Sequence, residues 1–142
     1  MSPSRNYRWL RTVLPFAIFY LLVGALFPNP PAPNPSQFAW RLAAWLICAL
    51  AFAFHIGLEH FRLGNAPRKT ALHASASVAL GAFALAAAAN IHARTAGTGN
   101  ERLLAAALGI WPIIAGLPAF VVALAVAAGL ARLRPNDEPR RP

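Results

Sequence analysis

With 142 residues, 58% apolar and only 12% charged, the chain carries about half the charge of an ordinary soluble domain. Four acidic residues leave almost no material for paired-carboxylate chemistry, and a net charge of +9 without a soluble basic domain leaves no nucleic-acid interface. Residues 12–40, 70–93 and 103–131 carry no charged side chain at all, as spanning a hydrocarbon core of about 30 Å requires.

Four transmembrane spans are predicted in chain order. The first covers residues 9–27, "WLRTVLPFAIFYLLVGALF", preceded by Arg5 and Arg8. It is long for a signal-peptide core and Pro15 interrupts it, so an uncleaved span is expected rather than cleavage near Ala25. Residues 28–37, "PNPPAPNPSQ", hold five prolines and predict an extended, semi-rigid strap. The second span covers residues 38–61 and contains the single cysteine, Cys48, which can form no intramolecular disulfide. The turn "LGNAPR", residues 63–68, pairs a helix-ending Gly64–Asn65 with a proline suited to the start of the next helix. A turn this short makes spans two and three antiparallel neighbours.

The third span covers residues 70–93 and the fourth residues 103–133, joined by a small polar loop. The fourth is longer than a bilayer needs, and Pro112 and Pro118 are its candidate kink points. Lipid tails are as apolar as leucine, so membrane helices associate by close packing of small residues. Ser77, Gly81 and Ala84 in span three, with Gly109 and Gly116 in span four, predict such a seam between those two spans or, alternatively, one that docks other subunits or further copies. The fold class is therefore an all-α integral membrane protein, four helices in an antiparallel up-down bundle over residues 1–134, with a disordered tail at 135–142.

Basic residues orient it. Arg5, Arg8, Arg11, Arg62, Arg68, Lys69, Arg132, Arg134, Arg140 and Arg141 fall on one side, and Arg41, Arg94 and Arg102 on the other. The asymmetry places both termini and residues 62–69 in the cytoplasm of a bacterial-type inner membrane.

The stretch "HIGLEHF" is the one concentration of ionisable groups inside a span. His55 and Glu59, four apart, share a helix face, whereas His60 points about 100° away from Glu59. Across the turn, His73 reaches a depth similar to Glu59, so His55, Glu59 and His73 can converge. Intramembrane ionisable groups suggest function by default: a proton- or ion-relay cluster, a metal site, or bis-histidine ligation of haem b. The competing expectation is a helix end near the head groups, with Glu59 paired to Arg62, Arg68 or Lys69. No cofactor is required by any motif. There is no GxSxG, HExxH, P-loop or dinucleotide fingerprint, so an enzyme is not expected.

The function expected is that of a non-enzymatic accessory or structural subunit. Its partners would be the lipid bilayer and either other membrane subunits or further copies of itself. The alternatives are a small proton- or ion-coupled transporter using His55, Glu59 and His73, and a haem- or metal-binding redox subunit.

Overall fold

A computed structural model describes residues 9–26 and 35–133. Arg5, Arg8, the proline-rich residues 28–34 and the tail 135–142 lie outside the described residues. Everything described is helical or turn: α1 (Leu10–Leu26), α2 (Pro35–Gly57) continuing into a π turn (Leu58–Arg62), α3 (Pro67–Thr95) and α4 (Glu101–Arg132). Three helical stretches are long and apolar enough to cross a membrane, Gln37–Arg62, Pro67–Thr95 and Glu101–Arg132. They fall on the second, third and fourth predicted spans. α1 is as apolar but has only 17 residues, the lower end of what a bilayer needs.

The ends of these helices follow from local chemistry. Gly64, with φ of 62°, supplies the left-handed residue that closes the π turn. Ala66 is extended, as a residue before proline must be, and Pro67 opens α3. At the far end of α3, Gly97 (φ 64°) completes a Schellman motif: Thr98 N–H bonds Ala93 O at 2.9 Å and Gly97 N–H bonds Arg94 O at 3.3 Å. The Asn100 side chain then caps α4 by accepting from the N–H groups of Arg102 and Leu103. α2 begins earlier than expected, at Pro35, because proline suits the first helical position.

α3 is the axis of the bundle. It packs most extensively on α4 and next on α1, while α2 touches its neighbours lightly. The contacts give the helix directions. Trp9 lies beside His73, and Gly81 against Ala17 and Tyr20; Gly24 meets Leu85, so α1 and α3 run together. Gly116 lies against Ala79 and Ser75, and Asn90 donates to Leu104 O at 2.7 Å, so α4 runs against α3. The buried core is small and alanine-rich: Ile56, Ala71, Ala74, Ala123 and Ala127, flanked by Phe52, Phe120, Leu124 and Leu130. Large apolar side chains such as Phe38, Trp45, Leu50, Ile113 and Val121 point outward, which suits a lipid-facing surface and not a watery one.

The packing seam differs from its prediction in two ways. Gly81 is a close-approach site, but its neighbour is α1 rather than α4: a Cβ there would stand 2.8 Å from Tyr20 Cβ and 3.1 Å from Ala17 O. Gly116 does meet α3, with Ala79 Cβ 3.1 Å from the place of its missing Cβ, and Ser77 is buried while Ala84 is half-buried. Gly109 lies outside the seam, exposed, with nothing within 4 Å. The inward side of α4 follows the four-residue row of half-buried Leu104, Leu108 and Pro112 and buried Gly116, and Gly109 sits one step round the helix from it.

Gly81→Ala is expected to destabilise the bundle by about 1–3 kcal/mol, because the clash falls partly on backbone that cannot give way. Gly109→Ala should leave stability unchanged or slightly raised. Unfolding midpoints in detergent micelles check both, and equal losses would remove the close contact at Gly81.

Candidate functional site

α2 ends in a π turn instead of a last α turn. The Leu63 N–H reaches back five residues to Leu58 O at 3.2 Å, and Asn65 N–H bonds Glu59 O at 3.1 Å. The wider turn narrows the angle between successive side chains, so neighbours that an α-helix would separate can both face inward. Glu59 is fully buried and His60 is 3% exposed. His60, expected to point about 100° from Glu59, is buried as well, and its ring lies edge-on to Phe61, centroids 5.0 Å apart.

Glu59 sits at the meeting point of three elements. From α3, His73 Nδ1 lies 3.0 Å from Oε1 and 3.1 Å from Oε2, close to both carboxylate oxygens. From the turn, the Asn65 side-chain amide donates to Oε2. From the preceding turn of α2, His55 Nε2 stands 3.7 Å from Oε1, ion-pair distance rather than a hydrogen bond. α1 closes the cluster from above. The Phe16 ring stacks on His55 at 4.0 Å, nearly coplanar at 5°, and the Trp9 ring lies 6.5 Å from that of His73. The Thr12 hydroxyl, which donates to Trp9 O at 2.9 Å, also neighbours the carboxylate. Trp9, Thr12 and Phe16 follow one another at three- and four-residue spacing, so one face of α1 covers the site.

The proton inventory is informative. His73 must carry a proton on Nδ1 to donate to the carboxylate. Ser77 Oγ donates to His73 O at 3.0 Å, which leaves it an acceptor for His55 Nδ1 at 3.5 Å. His55 Nε2 then has no hydrogen-bond partner and faces Glu59 Oε1.

Of the residues singled out from sequence, the structure brings His55, Glu59 and His73 together, with Ser77 as a polar partner as well as a packing residue. Arg62, Arg68 and Lys69 are exposed, and the ion-pair contacts of Glu59 run to the two histidines instead. Asn65, Thr12 and Phe16 were missed. Thr12 and Phe16 share a helix face, but which neighbour that face would meet is not written in α1. Among the described residues no group of three or more His, Cys, Asp and Glu is placed to hold a metal ion. Both imidazoles meet one carboxylate, His73 through Nδ1 and His55 through Nε2. At the opposite end of the bundle Asn90 is buried and joins α3 to α4, while His92, Arg94 and Glu101 are exposed.

Compared with family models, curated proteins and solved structures, the chain matches none significantly.

Glu59→Gln and His73→Ala should each cost about 1–3 kcal/mol, the penalty for leaving a buried polar partner unmade. The double variant should cost little more than the worse single, because the same network is lost in each case. A thermodynamic cycle of the four proteins in micelles measures this. Strictly additive losses would mean that the two side chains act separately.

Proposed function

We propose that this chain is a non-enzymatic, multi-pass protein of a bacterial-type inner membrane that acts as an accessory subunit. Its termini and residues 62–69 would face the cytoplasm, and its α2 would pair with helices of another membrane subunit or of a second copy. The observation that carries this reading is the way α2 is held. It is anchored to the bundle at one end, where His55, Ile56 and Glu59 are buried. Over the rest of its length it packs lightly and presents Phe38, Trp45, Leu50 and Phe54 outward. A helix so fastened keeps one whole flank available for lateral association, which in lipid runs on shape and close packing rather than on hydrophobicity.

The orientation rests on the basic asymmetry. Reporter fusions at Pro31 and Gly99 are expected to behave as exported, and those at Asn65 and Asp137 as cytoplasmic. An exported signal at Asn65 would invert the topology. For the association itself, a photocrosslinking amino acid at Leu50 should give one discrete heavier product in native membranes. A chain that stays monomeric under illumination would refute the subunit reading.

A second reading, a small proton- or ion-coupled transporter, draws on the Glu59–His55 contact, two buried ionisable side chains 3.7 Å apart. In liposomes carrying an internal pH dye, this reading expects proton flux that Glu59→Gln abolishes. The accessory-subunit reading expects none from either protein.

A further inference from the structure

The looseness of α2 opens a cleft between all four helices, on the side away from the Glu59 cluster. Its volume of about 550 Å³ falls within the range of small-molecule sites. Its walls include Gly24 of α1, Trp45 of α2, Ala82 of α3 and Trp111 of α4, and are apolar apart from two groups. One is Arg41, whose guanidinium is the one cationic group of the lining. The other is Tyr20, whose buried hydroxyl has no hydrogen-bond partner.

We propose that this cleft binds one anionic phospholipid from the leaflet nearer the α3–α4 loop, an acyl chain in the cleft and the phosphate on Arg41. Three observations carry the assignment. The cleft extends along α2 from Trp40 to Cys48, eight residues or about 12 Å, the length of a run of methylenes and far more apolar than a soluble anion would need. Arg41 lies in the first turns of α2, so the charge marks the end of the cleft nearer the membrane surface, where a phosphate would be. The planar fork of a guanidinium matches a phosphate, which it can hold with two parallel hydrogen bonds. The Tyr20 ring lines the same cleft deeper along α1 than the charge, with its hydroxyl buried. Trp45 of α2 and Trp111 of α4 add flat, rigid aromatic surface to the lining. The site does not depend on whether α2 also meets another subunit.

The test uses the full chain carrying Trp9→Phe, so that the remaining tryptophans report mainly from the cleft end. It is reconstituted in phosphatidylcholine bilayers doped with acyl-brominated lipid, and tryptophan quenching is followed. Brominated phosphatidylglycerol should quench at a mole fraction roughly fivefold lower than brominated phosphatidylcholine, the worth of about one favourable basic contact at a membrane surface. Arg41→Gln should abolish that preference and Arg41→Lys restore part of it. Ala82→Leu, which fills the cleft, should weaken quenching by both lipids while circular dichroism stays unchanged. A preference that survives in Arg41→Gln, or quenching unaffected by Ala82→Leu, overturns the proposal. Reversal of quenching by millimolar inorganic phosphate would also overturn it, assigning the site to a soluble anion.

Discussion

A carboxylate inside a membrane must find its hydrogen-bond donors in the protein, because the hydrocarbon supplies none. Glu59 meets that demand with groups from separate parts of the chain, His73 of α3 and Asn65 of the turn, while His55 one turn earlier faces it at 3.7 Å. Satisfying a single side chain therefore fixes where α2 stops, how sharply the chain reverses and which face of α3 it returns on. The π turn is the backbone's adjustment to the same demand, since it brings Glu59 and His60 inside together. α1 is drawn into the arrangement through Phe16 on His55 and Trp9 beside His73.

Away from this cluster the bundle is held by a different force. In α3, Ala71, Ala74, Ser77 and Gly81 are small enough for backbones to come close, and both α1 and α4 use that closeness. α2 has no comparable row. Its outer half carries Trp40, Leu42, Trp45 and Leu46, too bulky for close approach and well suited to lipid or to another protein. The polar clasp at one end and bulk at the other together explain both the splayed α2 and the cleft beneath it. Structure and proposed function thus share one physical origin, an uneven distribution of packing along a single helix.

The helices were legible because the bilayer imposes a crude and long-range rule: a charge-free run of the right length must be a helix. The reversal at Gly64 and Pro67 was legible too, since each residue type has a specific conformational role there. The convergence of His55, Glu59 and His73 followed from the short turn between them. What could not be read were matters of rotation and neighbour. A π turn has no sequence signature, so α-helical arithmetic alone separates His60 from Glu59 by about 100° and does not show that both are buried. Small-residue spacing marks a close contact without saying with whom, so Gly81 was paired with α4 although it meets α1. Gly109 follows the same spacing, yet the row that α4 actually uses passes one step to its side. Asn65 was read only as a helix-ending residue, because its side chain acquires an acceptor only when the turn is folded.

The claim on which all this depends is that Glu59 and His73 are in direct contact within the membrane-embedded protein. Solid-state NMR on the chain in lipid bilayers, with a labelled Glu59 carboxyl carbon and a labelled His73 Nδ1, measures that distance through their dipolar coupling. A strong coupling, matching the 3.0 Å between Nδ1 and the nearer carboxylate oxygen, is the expected result. The absence of coupling, in a protein shown to be folded in the same sample, would contradict the clasp and the helix arrangement derived from it.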